Sequence, residues 1–382
     1  MSTKLSYWAL SLMFASSSLF AEAQFAWVGT YSPNGEGVYR FDINGQTGQL
    51  TNKTLAAPLI NAAQLVLSKN GHVLYAGSET EKGTIHAWRV KDTGELEVIN
   101  DVPSGGDGPV YLSLTPDERF LLVANYHSGS VAVLPIREDG GLNIASEMIQ
   151  NQGPAGAPRP EAAVEGSFAI SDHNGPHAHM IGTDPSGKFV FVTDLGLDRI
   201  YQYKFDDKNG KLIPNNPPFI MSSSKGSGPR HFVFSKGGNN VWLVNEEAST
   251  LTQYHFDKQK GTLKEGHSTS TLPKNYKGTS FISGIVESKD GKQLYAANRL
   301  HNSIAHFNVN ADGTLGDAVY TWTRGDYPRT LTLSPDGQYL YALNQRSDNI
   351  TRFKIAPNTG ELTFVDEYVA VGAPSQMVIG NK

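Results

Sequence analysis

Between its turns the chain reads as short apolar runs, and no apolar period of helical length is sustained in them. Two kinds of turn recur. In the first, alternating apolar and polar residues enter a polar turn that ends Gly-x-Leu, at Val38–Leu50, Ile85–Leu96, Val131–Leu142, Ile200–Leu212, Leu251–Leu263, Ile304–Leu315 and Ile350–Leu362. Period and turn chemistry make each of these a hairpin. The second kind resembles Ser-Pro-Asp-Gly: SKNG at Ser68, TPDE at Thr115, DPSG at Asp184, SKGG at Ser235, SKDG at Ser288 and SPDG at Ser334. Each is followed by an apolar run with a polar end, such as LLVANY or FVFVTD.

Six turns of the second kind stand against seven of the first. The mismatch resolves if the C-terminal strand Ser375–Ile379 pairs with the N-terminal strand Phe25–Thr30. The pattern therefore predicts an all-β, seven-bladed β-propeller with four-stranded blades, its ring closed by a blade shared between the N- and C-termini. One interval is longer than the others. It holds residues 150–174, rich in Pro, Gly and Ala, and is expected to form a lid beside the histidines that follow it. A shorter insertion covers Thr271–Ser280.

Composition narrows the setting. The net charge of -5 leaves no basic footprint for nucleic acid or an anionic membrane. The chain has no cysteine, so disulfide and thiolate chemistry are excluded. At the N-terminus Lys4, the apolar run Leu5–Phe20 and Ala21-Glu22-Ala23 fit the parts of a signal peptide over residues 1–23. Residues 24–382 are then expected to form a single propeller domain, periplasmic or secreted, with no membrane attachment after cleavage.

Because the units repeat, they can be compared with one another. Five residues before each turn of the second kind stand Ala63, Val110, His179, Arg230, Ser283 and Arg329, with Ser375 as the analogue in the shared blade. The first strand of a blade lines the central channel, so these side chains should converge there. A neighbouring position adds His231, Tyr111 and Gln376. At the ends of the second strands stand Tyr31, Glu79, Tyr126, Leu195, Glu246, Arg299 and Gln345, preceded by Thr30, Ser78, Asn125, Asp194, Asn245, Asn298 and Asn344. The Asn-rich column reads as strand-end capping.

The channel mouth should thus gather His179, Arg230, Arg299, Arg329 and Glu246, with His177 one alternation from His179 on the same strand face. Charges are seldom buried unpaired, and arginine forks suit carboxylate or phosphate. Excess arginine therefore points to an anionic ligand. His177-x-His179 lacks a third metal ligand at convincing spacing, and no metal or other cofactor is expected.

At these residues the chain resembles a known family. GPHAHM, GSGPRH followed by VNE, YAANR and YPRTLTLSPDG are similar to blades of the propeller-type bacterial 6-phosphogluconolactonase family, a family that also includes the fungal carboxymuconate-lactonizing enzymes. The similarity runs from about Phe25 to Gly380. It implies lactone hydrolysis or formation in the central cleft without a metal. It also implies an active site of a His, two Arg and a Glu, falling on His179, Arg230, Arg299 and Glu246. Tyr111 stands where relatives often carry His, and Ala62-Ala63 replaces the usual Pro-Ser.

The expected activity is a lactonase, a carboxylic ester hydrolase acting on a sugar-derived or other anionic lactone. Glu246 or His179 would activate water, and Arg230 and Arg299 would stabilise the oxyanion. The substrate-binding set is His177, His231, Arg329, Asp194, Tyr126 and Gln376. The alternatives are a cycloisomerase of the lactonizing type and a non-catalytic binding propeller of the cell envelope.

Overall fold

The computed structural model describes residues 24–169 and 172–381, so the signal-peptide expectation lies outside the described residues. Seven four-stranded antiparallel sheets follow one another around a ring. Their innermost strands are Pro374–Asn381, Ala62–Leu67, Pro109–Leu114, Ala178–Thr183, Pro229–Phe234, Phe281–Glu287 and Pro328–Leu333, in blades one to seven. The first of these, from the C-terminus, pairs antiparallel with Gln24–Thr30, setting Val378 opposite Trp27 and Gly380 opposite Phe25. The ring is closed by this shared blade, as the turn count required.

Each sheet lies between two others, so both faces of its second strand are covered. Phe120–Asn125, Phe189–Asp194 and Tyr339–Asn344 are buried at every residue. This is why these strands read as apolar runs rather than as alternation. The core is a set of layers between blades: Leu122 and Ala124 of the third blade meet Ile181, Val190 and Val192 of the fourth. Ala26, Val28 and Phe41 of the first meet Tyr341 and Leu343 of the seventh.

The turns of the second kind all lie at one end of the inner strands. Ser334 Oγ accepts from Tyr339 N at 2.9 Å, Asp336 Oδ1 accepts from Gln338 N at 3.0 Å, and Gly337 takes φ +75°. At the opposite end the buried asparagines cap. Asn245 Nδ2 donates to Thr250 Oγ1 and Thr252 Oγ1, each at 3.0 Å, and Asn298 Nδ2 donates to Thr271 O at 2.6 Å. In the third and sixth blades the last strand starts late, at Glu147 and Val319. There Leu142 and Leu315 form only isolated bridges, to Ile136 and Val309.

The two insertions meet. Ser167–Phe168 pairs in parallel with Gly278–Thr279, and Ser280 N donates to Phe168 O at 3.3 Å. Residues 151–169 and 172–174 run along the rim of the ring. Asn151 Nδ2 donates to Asp194 Oδ2 at 2.7 Å, and Tyr126 OH donates to Asp172 Oδ2 at 3.0 Å.

Candidate active site

Every inner strand carries a register shift near its start, and the residue skipped by the ladder is the one at the compared position. Ala63 is passed over between Ala62 and Gln64, Val110 between Pro109 and Tyr111, and His179 between Ala178 and Met180. The same holds for Arg230, for Ser283 with Gly284, for Arg329 and for Ser375. A bulge frees one residue from strand pairing and re-aims its side chain. Where that residue is serine it stitches blades together: Ser283 Oγ donates to Pro328 O at 2.6 Å and Ser375 Oγ donates to Ala62 O. Where it is large and polar it builds the channel mouth.

Glu246, just past the second strand of the fifth blade, sits between two arginines. Its Oε2 lies 2.6 Å from Arg230 Nε and 2.6 Å from Arg299 Nη2, and the three side chains are almost wholly buried. Arg230 Nη1 also donates to Ser283 O, and Arg299 Nη1 to Tyr327 OH at 3.2 Å. Burial opposes charge on Glu246, but Arg299 and Arg230 outweigh it and hold its carboxyl below the usual range. Burial, partly offset by Glu246, brings the Arg230 guanidinium below its ordinary value.

Across the mouth is a second cluster that the sequence reading did not assemble. Arg329 Nη2 donates to Tyr31 OH at 2.5 Å, Tyr31 OH donates to Glu79 Oε2 at 2.5 Å, and Arg329 Nη2 lies 3.8 Å from Glu79 Oε2. Burial keeps the Tyr31 phenol well above its ordinary value. Between the clusters runs a file of rings. Tyr126 is 5.4 Å from His179, His179 is 5.0 Å from His231, and His231 is 5.0 Å from Tyr111, all edge to face. Burial and then Arg230 push both His179 and His231 well below the ordinary imidazole value, so both are neutral at pH 7. Among the described residues, His179 Nδ1 is buried without a hydrogen-bond partner.

The structure thus brings together His179, His231, Arg230, Arg299, Arg329 and Glu246. It places others of the expected set differently. The His177 ring lies 4.7 Å from that of Tyr126, which His179 also meets. The His177 ring nitrogens lie 2.9 Å from Tyr126 O and 2.6 Å from Asn174 Oδ1, at the rim. Asp194 is fully buried, and its carboxylate accepts from His177 N, Leu197 N and Asn151 Nδ2, which is a scaffold position. Tyr126 joins the rim insertion to the ring file. Gln376 lies half-buried on the inner strand, opposite Gly29. Tyr31 and Glu79 already stood in the strand-end column beside Glu246 and Arg299, which is the signal that could have found them.

The model of the family described as "Lactonase, 7-bladed beta-propeller" matches residues 25–379. A Bacillus subtilis protein named 6-phosphogluconolactonase is 32% identical over 352 residues, spanning 91% of this chain and 96% of the relative. Among solved structures, one from Bacteroides fragilis superposes with a TM-score of 0.85 at 29% identity, covering 95% of this chain and 99% of the other. The periplasmic gluconolactonase of Pseudomonas aeruginosa gives a TM-score of 0.82 at 26% identity, covering 94% and 99%. Sequence and ring agree, and the chain belongs to the seven-bladed β-propeller lactonase family.

Proposed function

We propose that this protein hydrolyses a sugar-derived lactone at the channel mouth, with His179 as the general base. The observation that carries the assignment is the contrast between the two candidate bases. Glu246 has one carboxylate oxygen shared by two guanidinium groups, which gives it the task of holding them. Burial and the same arginines weaken His179 as a base too, but it is neutral, and its Nδ1 has no hydrogen-bond partner among the described residues. A neutral imidazole can take a proton from water as that water attacks the lactone carbonyl carbon. The C–O ring bond then breaks, the proton passes to the leaving alkoxide, and the product is a hydroxy acid. Arg230 and Arg299 face the charge that develops on the carbonyl oxygen and then bear the product carboxylate.

Charge at the mouth bears on the substrate. Three guanidiniums, Arg230, Arg299 and Arg329, face two carboxylates, Glu246 and Glu79, which leaves one net positive charge. That balance suits one developing oxyanion or carboxylate better than an added phosphate dianion. Glu79 and Tyr31 offer hydrogen bonds to sugar hydroxyls instead. The preferred substrate is therefore an unphosphorylated aldonolactone. Export to the periplasm fits this choice, and it is supported by the leader-like residues 1–23 and by the periplasmic relative.

A pH-indicator assay of the mature protein against glucono-, 6-phosphoglucono- and muconolactones tests the reading. Proton release above background, fastest with the unphosphorylated sugar lactone, is expected. No release with any lactone, or only loss of muconate ultraviolet absorbance in the lactonizing direction, would overturn it.

A further inference from the structure

The rim insertion buries a histidine that no repeat column contains. His173 Nε2 lies 3.4 Å from Asp198 Oδ1 and His173 Nδ1 lies 3.0 Å from Glu247 Oε1, with all three side chains at most 4% exposed. Both carboxylates belong to the backbone that carries the active site. Asp198 accepts from Gly226 N at 2.7 Å and Gly228 N at 2.9 Å, so it shapes the turn that leads into Arg230. Glu247 follows Glu246, and its amide donates to Ser227 O at 3.0 Å while that of Glu246 donates to Gly228 O at 2.6 Å.

Two carboxylates buried side by side repel each other unless a cation lies between them. The charged groups that face His173 are these two, and neighbouring Asp172 is turned away to Tyr126 OH. Burial disfavours the imidazolium, but Asp198 and Glu247 more than offset it and raise the His173 value to about 9.

We propose that His173 is a positioning residue for the reaction: as a cation it locks Asp198 and Glu247 together, and through them it fixes Arg230 and Glu246. The inference rests on the lactonase reading for its effect on rate, but the lock itself does not. When His173 loses its proton, the insertion loosens and the Gly226–Gly228 turn shifts. Misplacement of about an ångström costs on the order of 10²-fold in rate.

The test combines kinetics from pH 6 to 10 with hydrogen exchange at the Gly226 and Gly228 amides, in the wild type, His173→Gln and His173→Lys. In the wild type kcat should fall through about pH 9, with KM nearly constant. His173→Gln should be slower by about 10²-fold at pH 7 and lack that alkaline limb, and His173→Lys should recover rate and move the limb upward. Exchange at Gly226 and Gly228 should rise in His173→Gln while Leu121–Ala124 stays protected.

The proposal is overturned if His173→Gln keeps both the rate and the limb, or if exchange is unchanged. If the wild type turns over no lactone, exchange alone decides the lock, so the two readings fail separately. If His173→Gln does not fold, wild-type exchange across pH 9, corrected for the intrinsic rate, decides it. Protection that does not fall there overturns the proposal.

Discussion

The inner strands of this ring have two ends that follow different rules. At the turn end the copies repeat one device: in the fourth blade Asp184 accepts from Ser186 N at 3.0 Å and Phe189 N at 2.9 Å, much as Ser334 and Asp336 serve the seventh. At the bulged end the copies diverge, from Ala63 and Val110 through Ser283 and Ser375 to His179, Arg230 and Arg329. Strand, neighbours and packing layer are shared by both ends. The difference lies in the bulge, which releases one side chain per blade from strand pairing, so its identity can change without dismantling the sheet. A repeat can therefore hold its architecture at one end and vary its chemistry at the other.

The sharpest way to break this comparison is to leave the bulged arginines without their counter-ion. Glu246→Gln buries the Arg230 and Arg299 charges unpaired, with an expected loss of about 3–5 kcal/mol in urea unfolding at pH 7. A kcat decrease of roughly 10²- to 10³-fold should accompany it, as the oxyanion donors lose their alignment. A variant with wild-type stability would mean that the cluster is not held by charge.

Acidity gives a second test. The folded values of His179 and His231 lie below the unfolded one, so the unfolded chain binds more protons beneath its ordinary value near 6.5. Stability from these groups is present above that pH and is lost as pH falls below it toward the folded values. Because free His179 stays neutral throughout that window, kcat/KM should run flat through pH 6.5 while stability declines. An acid limb in kcat/KM at the ordinary imidazole value would contradict the buried, arginine-flanked placement of His179.

A smaller effect is expected across the mouth. Tyr31→Phe removes the hydroxyl between Arg329 and Glu79, and KM for an aldonolactone should rise about tenfold with kcat retained. A drop in kcat alone would move Tyr31 into the chemical step.

Much of this was legible from the repeat itself. Six turns against seven hairpins required a shared blade, and Phe25 does pair with Gly380. The column of His179, Arg230 and Arg329 was found by its disagreement. The bulge beneath it was not, because one extra residue in a short strand leaves the apolar pattern almost unchanged. Tyr31, Glu79 and Arg329 join the first, second and seventh blades, so only ring closure brings them together. His173 was invisible for a different reason: it lies in an insertion with no counterpart in the other blades, so comparison of repeats had nothing to set against it.

One paired measurement on a single strand tests the central claim. His179→Ala and Asp184→Ala change opposite ends of Ala178–Thr183 and its turn, and each should be assayed for lactone turnover and for unfolding. His179→Ala should lose roughly 10²- to 10⁴-fold in kcat and keep its stability. Asp184→Ala should lose about 1–3 kcal/mol and keep its kcat. If His179→Ala turns over lactone as fast as the wild type, or if both variants lose rate and stability together, the division between the two ends is wrong.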